Sequence, residues 1–345
     1  MMASFLMIRD SFPQKAVTGM RRQIRYQIEE NMMTGNRPAT CAEFLRSRGF
    51  SRHLLTYLRH HENTLLLNGE AVFTNHPVRR GDLLEVIFTD EIPSQTIVPN
   101  PMDLDIQYED EDILVINKPP FLPIQPSIGH FEYTLGNGVA AYYEAQGIPF
   151  VYRCVNRLDR NTSGLVIIAK NMASSAILYD EMKSRRIRRT YLTVVHGRIE
   201  EPGTIDAPIK RRTASLVERC VDFESGQRSV THYAPLSYHK THDTTALSVH
   251  LETGRTHQIR VHMAYIHHPV VGDTLYGRTA SEETLRTAAG DGDEGISQAE
   301  ASGQPEWINR QALHSLRLEF MHPITREQMR FAAPLPEDIR RLLRS

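Results

Sequence analysis

The stretch NRLDRNTSGLVIIAK, Asn156 to Lys170, holds one carboxylate between two guanidinium groups. Asp159 stands between Arg157 and Arg160, Thr162, Ser163 and Gly164 follow, and five apolar residues, Leu165 to Ala169, then read as a buried strand. A half-buried carboxylate needs a partner, because an isolated charge in an apolar setting is costly. An arginine beside it favours the ionised form, and an ionised carboxylate can act as a nucleophile or a base. The commoner fate of an aspartate next to arginine is a structural ion pair in a turn, and this stretch alone does not choose between the two.

A second stretch shifts the balance. LETGRTHQIRVHMAYIHHPVVGD, Leu251 to Asp273, reads as a strand, a turn at Gly254 and a helix from His257 with Thr256 as its N-cap. His257, Arg260 and Ala264 share one helix face by their spacing, which makes Arg260 a candidate partner for Asp159. Four histidines (His257, His262, His267, His268) invite a metal reading, but His257 and His262 are five apart and diverge on a helix, unlike an i, i+4 ligand pair. Polar positions on a helix face account for them better, and no metal is expected. Tyr191 opens an alternating strand in RRTYLTVVHG, just after the basic run KSRRIRR, Lys183 to Arg189. A tyrosine there most often packs across strands; beside a basic groove it can stack on a base.

These groups need a scaffold, and 345 residues suffice for two or three domains at roughly 100–200 residues each. The 40% hydrophobic and 23% charged content is that of an ordinary globular protein. Three separated cysteines without CxxC spacing argue against a disulfide framework or zinc ribbon and suit a reducing compartment. No apolar run reaches the ~18 residues of a membrane span, and MMASFLMIRDSF lacks the features of a signal peptide, so a cytoplasmic protein is expected. The net charge of −1 hides segregation: basic residues gather at Lys183 to Arg189 (Arg185, Arg186, Arg188 and Arg189 among them), at Lys210 to Arg212, at Arg79–Arg80 and at Arg21–Arg22, while acidic ones collect in Glu282 to Glu306. Such segregation can build a basic face on a nearly neutral chain.

Three blocks follow along the chain, with residues 1–19 expected to be a disordered or extra N-terminal segment. Residues 20–90 begin with the alternating strand RRQIRYQIEE, continue with two helices broken at Gly49 and capped by Thr40 (with Glu43) and Ser51, and end in strands around an Asn68–Gly69 hairpin turn. A linker, Glu91 to Asp103, is stiffened by Pro93, Pro99 and Pro101. Residues 104–345 hold short strands that outnumber the helices and lack regular βαβ alternation. This predicts an α+β domain on a mixed, mostly antiparallel sheet, interrupted by a small, acidic, mobile insertion at Arg278 to Glu306.

In combination, YEDEDILVINKPPFLPIQPS (Tyr108 to Ser127), NRLDRNTSGLVIIAKN, RRTYLTVVHG, GQRSVTHYAPL, LETGRTHQIRVHMAYIHHPVVGDTLYG and RQALHSLRLEFMHPITREQMRFAAPLP (Arg310 to Pro336) resemble the RluA-type pseudouridine synthases over most of residues 104–340. Residues 20–90 resemble the ribosomal-protein-S4-like RNA-binding domain through GFSRHLLTYLR, LLLNGEAV and VRRGDLLEV. The resemblance implies that Asp159 is the catalytic aspartate of uridine isomerisation, that Arg260 pairs with it, and that Tyr191 lies against the target base. It also implies that Arg157 enters the RNA stack as the base leaves, and that Leu158 to Gly164 form the active-site loop. Further RNA contacts are expected from Arg160, Thr162, Lys118, Arg255, His257, Gln258 and the Arg185–Arg189 run, and from Ser51, Arg52 and Asn68 in the first domain. One departure is visible: Asn156 stands where the family usually has histidine, keeping hydrogen-bonding capacity without titrating near neutrality.

Such an enzyme breaks the bond between ribose C1′ and uracil N1, turns the base and rejoins it through C5. The base is flipped out first, at a cost of a few kcal/mol. No cofactor is expected, in line with the missing P-loop and dinucleotide glycine patterns. Structured RNA is the expected partner, ribosomal RNA ahead of transfer RNA, with a monomer as the working form. A non-catalytic RNA-binding protein on the same scaffold and a histidine-based metal hydrolase are the competing readings.

Overall fold

The computed structural model describes residues 20–344 except 36, 92–96, 128–130, 214, 216 and 278–307. The N-terminal segment, part of the linker and the expected acidic insertion thus lie outside the described residues.

Alternation in MRRQIRYQ produces strand β1 (Met20–Gln27), which buries Ile24 and Tyr26 and exposes Arg25 and Gln27. A short hairpin, β2 (Met33–Thr34) with β3 (Arg37–Pro38), leads to helix α1 (Cys41–Ser47), whose first turn is closed by the reciprocal Thr40–Glu43 capping box. Ser51 caps α2 (Arg52–His60). Asn68 and Gly69, both at positive φ, turn β4 (Leu65–Leu67) into β5 (Glu70–Ala71), and β6 (Leu83–Glu91) completes an antiparallel sheet in the order β1-β6-β4-β5. Leu45, Leu54, Leu55 and Val86 fill its core.

The larger body is α+β. Its elements are β7 (Ile106–Glu109), β8 (Ile113–Lys118), α3 (Leu135–Glu144), β9 (Arg153–Cys154), β10 (Ser163–Ala169), α4 (Met172–Lys183), β11 (Arg188–His196), β12 (Gly203–Asp206), β13 (Ile209–Arg211), β14 (Arg219–Val221), β15 (Val230–His239), β16 (Thr244–Leu251), α5 (Gln258–Tyr265), β17 (Leu313–Met321), β18 (Gln328–Ala332) and α6 (Glu337–Arg344). The main sheet runs β12-β15-β16-β11-β17-β10-β8-β7, with β18 on β17 and β9 on β10; β13 and β14 form a separate hairpin. Every pair is antiparallel except β10 with β17.

Strand β10 shows why the apolar run follows the Asp159 loop. Val166 and Ile168 face one core with α3 and α6, while Leu165, Ile167 and Ala169 face the other with Leu178 of α4. A strand covered on both faces must be apolar throughout. Its parallel pairing with β17 starts at Ser163↔His314 and Gly164↔Ser315. Gly164 has φ +110°, and a Cβ there would stand 2.3 Å from the Ser315 carbonyl oxygen, so only glycine lets the strands approach.

The first domain is docked rather than merely tethered. Ala173 and Ile177 of α4, with Ile324, are buried in its core. Arg22 grips Asp112 with two hydrogen bonds of 3.0 and 2.8 Å across the seam. The described part of the linker packs as well, Asn137 Nδ2 donating to the Val98 carbonyl at 2.7 Å.

Candidate active site

The loop between β9 and β10 carries Asp159, and two buried basic side chains hold its backbone. Lys118 Nζ donates to the carbonyls of Pro119 (2.7 Å) and Arg160 (3.1 Å). Arg310 Nη1 donates to the Asn161 carbonyl at 3.1 Å, while the rest of that guanidinium grips Asp338 on α6 at 2.7 and 3.0 Å. The Asp159 carbonyl accepts the Thr162 N–H at 3.1 Å, closing the turn. Asn156 is buried; its side chain donates to the Leu165 carbonyl (3.1 Å) and accepts the Ile167 N–H (2.8 Å). The residue that departs from the family pattern is thus a clamp on β10.

Arg260 is 7% exposed and reaches Asp159 from α5: Nη1 donates to Oδ2 at 3.2 Å. Its other face is held by Asp273, with Nε to Oδ2 at 2.6 Å and Nη2 to Oδ1 at 2.9 Å. Asp273 Oδ1 also accepts the Leu275 and Tyr276 N–H groups, so the turn after Gly272 fixes the arginine. Burial works against the Arg260 charge, but its bonds to Asp273 and its attraction to Asp159 outweigh that, and its pKa is raised. Asp159 is half-buried beside this fixed charge. The expected helix cap is corrected: His257, not Thr256, occupies the cap, in left-handed backbone at φ 58° with no side-chain cap bond. The Gln258 side chain instead accepts the Arg255 N–H at 3.0 Å, fixing the turn from within the helix.

Asp159, Arg260 and Tyr191 line one cleft of about 920 Å³. Tyr191 is 4% exposed on β11. Burial raises its pKa, opposed by the Arg189 charge and assisted by Asp159, so it presents a neutral phenol. The lining holds eight cations (Arg157, Arg160, Lys183, Arg185, Arg189, Arg219, Arg255, Arg260) against two acids, Asp159 and Glu252. A polyanion fits that balance. Leu158, Thr162, His257 and Gln258 also line it.

Several expected contacts are engaged within the protein or lie outside the cleft. Lys118 is fully buried under the loop and offers nothing to an RNA. Gln258 and Thr162 are buried, the glutamine amide donating to the Val230 carbonyl and to Thr231, and Thr162 accepting from Gln311. Arg186 faces Glu181 at 4.0 Å, and Arg188 is exposed outside the cleft lining. In the first domain, Ser51 is engaged as a cap, Asn68 bonds Asp82 and the Leu83 N–H, and Arg52 is exposed on α2, all away from the cleft lining. His262 bonds Thr231 and the Ala207 carbonyl inside the fold, far in direction from His257 in the cleft wall. Sequence reasoning missed Asp273, Tyr276, Tyr179 and Arg310. GDTLYG carried the first two, but nothing local marks them as partners of Arg260.

The geometry is that of an enzyme: an oriented carboxylate and a neutral aromatic ring in a cationic cleft. By comparison with known proteins the chain belongs to the RNA pseudouridylate synthase family, whose model matches residues 112–265. It is 41% identical to the uncharacterized RNA pseudouridine synthase YjbO of Bacillus subtilis over 88% of this chain and 98% of that protein. It is 39% identical to ribosomal large subunit pseudouridine synthase D of Escherichia coli over 71% of each chain. Among solved structures, human RNA pseudouridylate synthase domain containing 1 matches with a TM-score of 0.51 and 27% identity over 68% of this chain and 84% of that one.

Proposed function

We propose that this enzyme isomerises specific uridines in large-subunit ribosomal RNA, with Asp159 as the catalytic carboxylate. The observation that carries this reading is the Asp159–Arg260–Asp273 array at the cleft wall, with Tyr191 beside it. Arg260 orients the carboxylate, because its own guanidinium is pinned on the far side by Asp273. The target base leaves its stack and lies against the Tyr191 ring, while Arg157, exposed at the loop tip, fills the gap. The remaining cations of the cleft hold phosphates. The ribosomal assignment follows the Escherichia coli and Xylella fastidiosa relatives, both ribosomal large subunit pseudouridine synthases D, the latter 37% identical over 85% of this chain. The basic α2 face of the first domain, with Arg52 and His53 exposed, suits a second RNA contact. Transfer RNA remains the alternative substrate to be separated by experiment.

The test is pseudouridine mapping of total RNA from cells with the gene deleted, complemented by the parent or by Asp159→Asn. One or a few ribosomal sites are expected to vanish and to return only with the parent. Sites lost from transfer RNA instead would reassign the substrate, and no change at any site would sink the synthase reading.

A further inference from the structure

His257 lines the cleft close to Asp159. It is a non-glycine residue in left-handed backbone, φ 58°, at the start of α5. Such a conformation costs roughly 1 kcal/mol and persists where the surroundings over-determine it, often at functional sites. The imidazole is 11% exposed in the cleft wall, with Nε2 standing 3.9 Å from Asp159 Oδ1. Oδ2 of the same carboxylate is the oxygen that Arg260 holds. The two carboxylate oxygens therefore face different donors, one in contact and one across a gap.

The tautomer of His257 follows from its neighbour. Tyr276 accepts the Arg219 N–H at 2.8 Å, which leaves its own proton to donate. His257 Nδ1 lies 2.8 Å from that hydroxyl, placed to accept that proton. A neutral ring that accepts at Nδ1 carries its proton on Nε2, facing Asp159. Burial lowers the His257 pKa, Asp159 opposing, which favours the neutral ring. Tyr276 is fixed in turn: its N–H bonds Asp273, and the Arg260 guanidinium lies 5.0 Å from its ring centroid.

A donor and an acceptor 3.9 Å apart are too far for a direct hydrogen bond, yet one oxygen at about 2.8 Å from each fits between them. A hydroxyl is the group that donates to one and accepts from the other. We propose that His257 Nε2–H and Asp159 Oδ1 together bind the ribose 2′-hydroxyl of the target uridine, making His257 a specificity-determining residue for ribose. The inference rests on the reading of Asp159 as the carboxylate that works at the ribose, since the 2′-hydroxyl neighbours the carbon whose bond is broken. It also explains why the turn holding Arg260 carries a tyrosine at Tyr276: one turn orders both partners of Asp159.

The test uses the full chain and a ribosomal RNA fragment spanning a mapped target uridine, made with ribose or 2′-deoxyribose at that nucleotide. For the parent, the deoxy substrate is expected to lose about 10- to 100-fold in kcat/KM. His257→Phe keeps a ring and removes the donor; it should lose about tenfold on the ribose substrate and show a clearly smaller ribose-to-deoxyribose ratio than the parent. Tyr276→Phe, which leaves the imidazole but releases its tautomer, should compress the ratio part of the way, and it decides the matter if His257→Phe fails to fold. A ratio equal to the parent's in the folded variants overturns the hydroxyl assignment while leaving the synthase reading intact. A parent that isomerises neither substrate overturns both.

Discussion

At the scale of residues, the site is built from charges that are satisfied from behind. Arg260 can serve Asp159 because Asp273 fixes it, and the loop can hold Asp159 still because Lys118 and Arg310 hold its carbonyls. Lys118 has no direct carboxylate partner among the described residues. Burial, then the nearby Arg310 charge, push its pKa down to about 7 from an ordinary 10.5, with Asp159 opposing. Unfolded, the amine holds its proton up to pH 10.5; folded, it releases it near 7. Between these values the unfolded chain binds more protons, so this group makes stability rise with pH across that window and leaves it flat on either side. Lys118→Met is therefore expected to flatten the rise. The check is the urea midpoint of parent and variant from pH 6.5 to 10; parallel curves would refute the buried-charge account. Helical spacing made Arg260 only a candidate partner for Asp159; the family resemblance singled out the pair, and the structure brings the two together at 3.2 Å. The burial of Lys118 was not, because a lysine between strand and proline reads as a surface charge until the loop is folded over it.

At the scale of elements, local rules carried well wherever the chain makes its own ends. The Thr40 and Ser51 caps and the Asn68–Gly69 turn are local chemistry and stand as expected. The start of α5 did not follow Thr256, because a side chain from inside the helix, Gln258, satisfies the turn and His257 takes the strained backbone. The parallel contact of β10 with β17 was also illegible, since its partners lie about 150 residues apart, as the Ser163–His314 hydrogen bond records. That contact gives an element-level prediction. Gly164→Ala introduces a methyl into the Ser315 backbone and an L side chain at φ +110°. Neither can relax without parting the strands at the point where the active-site loop ends. A loss of about 2–4 kcal/mol in stability is expected, with turnover falling more than RNA affinity because the loop moves. Thermal melting and single-turnover rates check it, and a variant as stable and as fast as the parent would show that the strands tolerate separation.

At the scale of the whole molecule, the two domains share α4. One side of that helix gives Ala173 and Ile177 to the first domain's core, Leu178 packs into the second, and Tyr179 and Lys183 line the cleft. The composition of MASSAILYDEMK hints at this, being apolar on more than one face, but a proline-stiffened linker reads as a spacer and only tertiary packing reveals the docking. The ion pair at the seam is the sensitive point. Asp112 is 4% exposed and receives Arg22, Asn171 and Ser174. Truncating the arginine leaves a buried carboxylate with neutral donors alone, whereas removing both charges together relieves that penalty. Arg22→Met is therefore expected to cost about 3 kcal/mol of docking stability, and Asp112→Asn a comparable amount. The double variant should fall well short of their sum, with a coupling of about 1–3 kcal/mol. Urea unfolding followed by hydrogen exchange of β1 and α1 reads this directly: in Arg22→Met those amides should exchange ahead of β10. If they still exchange together with β10 and the effects simply add, the seam is held by the apolar contacts of α4 alone. If the coupling is found, the Arg22–Asp112 pair works together with the apolar contacts of α4 in holding the first domain against the second.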